Sequence, residues 1–223
     1  MNGTDFSFHG HDAAHDIEKE AAHINTIIDP ESIQTIVYVG CCCGYEAGLL
    51  SNVYQHAEVH AIEAVQETYD KYLLEKRSCC TPRVKTHCLA ISNVNGTAKL
   101  NMAKMNTQHS LLDPMDWDAV STRTVQCQTL QKFCSLNGLK PDMIVLDVEG
   151  IPGRVLVGAG PEILSTVKVV FAETEPHDAK VFADGDTDGF VDRLLYTFGM
   201  KRELCSVPEP PVRQLNSVWV RRP

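Results

Sequence analysis

Nowhere in the 223 residues does an apolar run approach the roughly 20 needed to cross a bilayer as a helix, so no membrane partner is expected. Positive charge is also scarce. Lys and Arg number 20 against 29 Asp and Glu, a formal net charge of −9. That balance disfavours a binder of nucleic-acid phosphates, which needs a basic face, and fits a small or neutral partner better. The opening "MNGTDFSFHGHDAAHDIEKE" lacks the basic-then-apolar layout of a secretory leader, and a cytoplasmic location is expected. No two of the nine cysteines stand as C-x-x-C, which argues against a zinc knuckle. Their odd number argues for reduced thiols over a disulfide framework, and leaves the sequons at Asn2 and Asn95 without consequence. The phosphate-gripping pattern G-x-G-x-x-G, internal repeats and low-complexity tracts are missing too.

What is present is enough apolar content, 43%, for one core. A polar lead-in over residues 1–30 carries helical spacing at 13–28, with Ala14, Ile17, Ala21, Ile24 and Ile28 on one side. From residue 31 to 223 the pattern is that of a single α/β domain, with short aliphatic runs each followed by an amphipathic stretch. Strands are expected at 33–39, 58–63, 84–91, 141–147 and 167–173. An irregular insert holds two short strands, 96–102 and 124–128, around a polar loop at 103–122 that reads as a lid. A helix at 186–199 precedes two strand-like runs joined by "PEPP", which should pair as an antiparallel hairpin. The expected architecture is three-layer αβα and Rossmann-like, with a seven-stranded, mostly parallel sheet closed by that hairpin. This is the layout of a class I methyltransferase.

In such sheets ligands sit beyond the carboxyl ends of the strands, where the first turn must let backbone approach. Gly40 and Gly44 bracket that turn in "IVYVGCCCGYEAGLL", and Glu63 ends the second strand where a carboxylate can accept both hydroxyls of a ribose. Cys41, Cys42 and Cys43 are adjacent, so their side chains point apart and read as small apolar space-fillers in a tight turn; Cys79 and Cys80 follow the same logic.

A second acidic cluster follows. "PDMIVLDVEG" delivers Asp147 at a strand end and Glu149 two residues later on the same side, and Gly150 permits a sharp exit into a helix. "VVFAETEPHD" delivers Glu173, Glu175 and His177. If these two strands are neighbours, carboxylates and an imidazole converge above the glycine loop. They would steady a cationic cofactor and, through His177, Glu149 or Glu173, take a proton from an attacking hydroxyl. Asp147, Glu173 and His177 are alternatively a set for Mg²⁺ or a related divalent ion, with helix capping by one or two of these acids as the plain alternative. His11 and His15 stand at i, i+4 spacing with no third ligand near, and read as part of a mobile terminus.

Four segments in order, "VYVGCCCGYEAGLL", "VHAIEAVQETYDKY", "LAISNVNGTAKLNM" and "DMIVLDVEGIPGRVLVGAGPEIL", make the chain similar to FkbM-type methyltransferases over about residues 33 to 220. The resemblance implies S-adenosylmethionine as cofactor. It implies a cofactor site at Gly40, Cys41, Cys42, Gly44 and Tyr45, at Glu63 with Ala64, and at Ala90, Ile91 and Ser92 beside the adenine, with Asp147 adjoining. Asp147, Glu149, Glu173 and His177 are the candidate catalytic residues; His109 and Trp117, with Asp113, are the candidate substrate contacts. Four departures stand out: Tyr38 replaces a usual aspartate, Cys41 a usual alanine, Ala64 a usual proline, and an acid near Pro152 is missing. The first expectation is O-methylation of a small-molecule or sugar acceptor. The rivals are a binding module on the same fold that has lost turnover, favoured by Tyr38 and Pro152, and a nicotinamide-dependent oxidoreductase. Nothing in the pattern fixes an oligomeric state.

Overall fold

The computed structural model describes residues 10–75, 81–104, 108–115, 119–176, 181–206 and 215–222, and side chains from residue 17 on. Trp117, His177 and the Cys79–Cys80 pair lie outside the described residues, as do the side chains of His11 and His15.

Five strands run parallel in the large sheet, those at its centre nearly continuous apolar runs buried on both faces and the one at its edge polar and partly exposed. They are β1 (Thr35–Val39), β2 (Glu58–Glu63), β3 (Val84–Cys88), β7 (Met143–Leu146) and β8 (Val169–Thr174). The insert forms β4 (Ala90–Ser92), β5 (Gly96–Met102) and β6 (Ser121–Thr129); the hairpin is β9 (Lys201–Ser206) and β10 (Leu215–Val220). The large sheet runs β3-β2-β1-β7-β8-β10-β9, with only β10 antiparallel to its neighbours. Strand order reverses between β1 and β7, which opens a crevice at their carboxyl ends. Asp142, just before β7, fixes where the strands start. Its carboxylate accepts the Gln34 and Thr35 N–H groups and pairs with Lys168 at 2.8 Å.

Side chains of β1 alternate between two cores as the pleat requires. Val37 and Val39 face one, with α4 (Leu130–Asn137), α5 (Pro152–Leu164) and α6 (Asp188–Thr197) above them. Ile36 and Tyr38 face the other, against α1 (Gly10–Ile24) and α2 (Tyr45–Val53). Ile17, Ala21, Ile24 and Ile28 belong to that second core, so the lead-in helix packs on the same sheet as the rest of the chain. Between β2 and β3 come a single helical turn, α3 (Gln66–Thr68), and a π-helical stretch, Tyr69–Leu74.

One expected strand is two. The run expected over 84–91 leaves the large sheet at Leu89, whose N–H donates to the Glu63 carbonyl at 3.0 Å. Ala90, Ile91 and Ser92 then pair parallel with Cys127, Gln128 and Thr129 in a second sheet, β4-β6-β5. The cause is the end of β2: Glu63, opposite Cys88, is its last residue, and beyond it the chain needs another partner for its backbone groups. α5 supplies the floor for the new direction. A Cβ at Gly158 would collide with the Ser92 carbonyl oxygen, so the Leu-x-Gly-Ala string (156–159) is what lets helix and strand touch.

The hairpin is locked from behind by Arg221. Its guanidinium donates to the carbonyls of Leu164, Val167 and Phe198, satisfying chain ends left open where α5 and α6 stop.

Candidate active site

Gly40 makes the crevice possible. Its φ is +83°, and a Cβ there would strike the Asp147 carbonyl oxygen where β7 ends. Only glycine allows that approach at that torsion. The Gly40 and Cys41 N–H groups both donate to the Ile62 carbonyl, tying the loop to the tip of β2, and Gly44, at φ +77°, caps α2.

Glu63 stands at the meeting point. The Cys42 N–H donates to its Oε2 at 3.0 Å and the Val65 N–H to its Oε1 at 2.7 Å. The carboxylate thus clamps the glycine loop to the strand-two exit, and its oxygens keep some lone-pair capacity for a ligand. Burial pushes its pKa up to about 7, against the pull of the Val65, Cys42 and Ala64 amides.

On the facing side, β7 and β8 are paired, and the tips that the sequence placed together do meet. Asp147 and Glu173 are hydrogen-bonded side chain to side chain. Burial raises both: Asp147 well above the usual range, with the Glu173 charge adding to the rise, and Glu173 to about 7. Two carboxyls in contact in a poorly solvated place hold one proton between them, with Asp147 the donor. Glu149, Glu46 and Glu175 add further negative charge around Glu173. Glu175 itself is buried and accepts the Val181 N–H at 3.0 Å, holding the segment after β8.

These elements bound a crevice of ≈ 710 Å³, its open mouth included, within the ~300–1,000 Å³ range of small-molecule sites. Of the residues singled out from the sequence, Gly40, Cys42, Glu63, Ala64, Ala90, Ile91, His109, Asp147 and Glu149 line it. Cys41 instead faces the core under α2, Ser92 is buried against α5, Tyr45 is exposed at the start of α2, and Glu173 reaches the crevice only through Asp147. Asp113 points away, into solvent beside Lys99 and Asn101.

The segment read as a lid is pinned as a roof in its described part. Asn101 and Ser110 exchange backbone hydrogen bonds, and the Ser110 hydroxyl donates to the Glu149 carbonyl at 2.7 Å. His109 accepts the Ala103 N–H on Nδ1 at 3.0 Å, which places its proton on Nε2, an atom with no hydrogen-bond partner. Burial and the Arg123 charge keep the ring neutral by lowering its pKa.

Leu89, Leu100, Leu111 and Ile151 complete an apolar lining that the sequence reading did not name. Leu100 was legible as the inward member of an alternating strand; Leu89 was hidden by the unforeseen break between β3 and β4.

The missing aspartate at Tyr38 has a local answer. The phenol, 2% exposed, donates to Glu46 in the first turn of α2. A carboxylate therefore stands beside the glycine loop after all, carried by the helix instead of the strand. The divalent-ion set finds no support: Asp147 and Glu173 are engaged with each other, and among the described residues no three His, Cys, Asp or Glu side chains converge as ligands.

A family model described as the methyltransferase FkbM domain matches residues 42–202. No curated protein matches the chain. Several solved structures are similar in fold. Magnesium protoporphyrin IX methyltransferase from Synechocystis PCC 6803, solved with bound SAM, superposes with a TM-score of 0.56 at 10% identity, over 99% of this chain and 86% of that one. Precorrin-6y C5,15-methyltransferase from Geobacter metallireducens GS-15 gives 0.51 at 9% identity, over 92% and 88%. MtNAS, in complex with MTA and tNA, gives 0.52 at 13% identity over 97% of this chain, which spans 63% of that protein. At such identities the likeness shows the fold, that of class I methyltransferases.

Proposed function

Because the chain belongs to the methyltransferase FkbM domain family, we propose that it transfers a methyl group from S-adenosylmethionine to an oxygen of a small acceptor, a sugar or another hydroxyl- or carboxyl-bearing molecule, bound under the roof that His109 and Ser110 help form. The observation that carries the reading is Glu63: a buried carboxylate with both oxygens anchored by backbone N–H groups and one face on the crevice. The residues fit an adenosine-bearing donor. Gly40 lets the loop close against the Asp147 carbonyl at the crevice wall, Glu63 offers lone-pair capacity suited to a ribose hydroxyl, and Ala90 and Ile91 give an apolar edge.

S-adenosylmethionine, when bound, supplies an electrophilic methyl on a positively charged sulfur. The chain's own part is mainly positioning. The Asp147–Glu173 pair keeps a net negative charge near that sulfur at little cost in solvation, because one proton is already shared. Glu149, on the crevice wall, is the carboxylate that takes the proton of the attacking hydroxyl. His109, with Nδ1 taken by the Ala103 N–H and Nε2 buried, holds the roof in place and is no base in this tautomer. Leu89, Leu100, Leu111 and Ile151 exclude water.

The test is calorimetric titration with S-adenosylhomocysteine, followed by incubation with methyl-labelled S-adenosylmethionine and a panel of hydroxylated and carboxylated small molecules. Binding, with label on an oxygen, is the expected result. No binding would remove the reading. Binding without transfer to any acceptor would favour the module that has lost turnover, against which the Tyr38–Glu46 contact already speaks.

A further inference from the structure

The three-cysteine turn was read as space-filling, and for Cys41 that holds: it is buried in the core under α2. Its neighbours differ. Cys42 and Cys43 are only partly buried, and their thiols are hydrogen-bonded to each other. Cys42 sits at φ +46°, a left-handed torsion that a residue with a Cβ seldom takes. It lines the crevice, and its N–H is one of the amides that hold Glu63. Cys43 immediately precedes the cap of α2, where the Tyr45 amide also points at its sulfur.

We infer that Cys42 and Cys43 form a reversible thiol-oxidation site for peroxide, closing to a disulfide between adjacent residues that shuts the cofactor crevice. The chemistry is divided between the two sulfurs. The Cys42 thiol donates to Cys43 and, with the Tyr45 amide and Cys43's own, brings the Cys43 pKa down to about 7, so a substantial share is thiolate at neutral pH. Cys42 is held protonated by that same hydrogen bond, by burial, and by the nearby charges of Glu63 and Asp147. The Cys43 thiolate attacks hydrogen peroxide. The O–O bond breaks, sulfur takes OH, and with one proton the other oxygen leaves as water. The Cys42 sulfur then attacks the sulfenic sulfur; the S–S bond forms, the S–O bond breaks, and hydroxide leaves with the Cys42 proton as a second water. In sum, two thiols and one peroxide give one disulfide and two waters.

Two consequences follow from the ring. Adjacent Cα atoms are ~3.8 Å apart, below the usual ~4.4–6.8 Å of a disulfide, so the ring is strained and easily reduced, as a switch requires. Closing it also resets the torsions of Cys42. The N–H that holds Glu63 turns away, and the crevice loses both a wall and the anchor of its acid.

The inference rests on the cofactor reading, and the experiment separates the two. The full chain is treated with a few equivalents of hydrogen peroxide and then, in part, with dithiothreitol. Intact mass and tryptic mapping distinguish the 20–71 fragment from the Ser78–Arg83 peptide that holds the other adjacent pair. A loss of two mass units per chain within Cys42–Cys43, reversed by dithiothreitol, is expected. S-adenosylhomocysteine affinity should fall at least tenfold on oxidation and return on reduction. Cys43→Ser should keep the affinity of the reduced protein within about threefold and show no peroxide response; Cys43→Ala serves if the serine variant does not fold. Oxidation at other cysteines only, addition of oxygen without ring closure, or a closed ring with unchanged affinity would each overturn the proposal. Reduced protein that does not bind S-adenosylhomocysteine but still forms the ring would overturn the cofactor reading and the crevice's role, and leave the thiol site standing.

Discussion

Glu63 shows how one side chain can be both brace and ligand. Glu63→Ala removes the ribose acceptor and also strands the Cys42 and Val65 amides. Loss of charged hydrogen bonds, about 1.5–3 kcal/mol each, corresponds to roughly a ten- to hundred-fold weaker S-adenosylhomocysteine affinity by calorimetry. Glu63→Gln should do little better, because its amide nitrogen must face one backbone N–H or the other, donor against donor. An affinity within twofold of the parent in both variants would show that the ribose lies elsewhere. Glu63 was legible in the sequence because its position depends only on where a strand ends. The partner of Tyr38 was not legible. It depends on the rotation of α2 about its axis, which brings Glu46 back over β1 and is set by packing against α1 rather than by any local pattern.

The elements meet at strand tips, and their acids set a pH dependence. Glu63 and Glu173 titrate near 7 in the free protein and Asp147 is raised, whereas an unfolded chain ionises its carboxyls near 4. A raised folded value means these groups favour the fold below the unfolded value, and that contribution is lost as pH rises through about 7. The melting temperature of the free protein should therefore fall between about pH 5 and pH 8. Over the same window affinity for S-adenosylmethionine should rise several-fold, since a cationic ligand favours the ionised acids; S-adenosylhomocysteine, without the sulfonium charge, should gain less. Flat affinity for the charged ligand from pH 5 to pH 8 would mean the acids do not face it.

Pairing of β7 with β8 is the condition on which the sequence reading brought Asp147 and Glu173 together, one that a doubly wound order meets, and the two strands do pair. The break at Leu89 was not legible, because an apolar run looks the same whether its partner is β2 or β6. Gly158→Ala tests that break. The added methyl must push β4 away from α5, moving Ala90 and Ile91, so ligand affinity should drop along with thermal stability. A variant that melts lower but binds unchanged would detach β4 from the site.

At the scale of the whole molecule, the question is whether residues 1–30 are a separate lead-in. Ile17, Ile24 and Ile28 are each buried to below a tenth of their surface against α2 and the sheet. At roughly 1.5–3 kcal/mol for each buried isoleucine, their loss approaches the ~5–15 kcal/mol that holds a domain together. A chain begun at residue 29 should lose its cooperative urea transition. A transition kept within about 1 kcal/mol of the full chain would make the lead-in separable. Sequence showed the apolar stripe of this helix but not its destination, since a stripe states only that something must cover it.

The position of β10 between β8 and β9 has a bearing on how the molecule is made. A ribosome delivers the outer strand before the one that must slide in beside it, so for a time β8 shows a bare hydrogen-bonding edge and β9 has nothing to pair with. Final closure is an insertion, not an extension. Until it happens, nascent chains crowded together share one obvious mistake: a neighbour's strand filling the vacant slot.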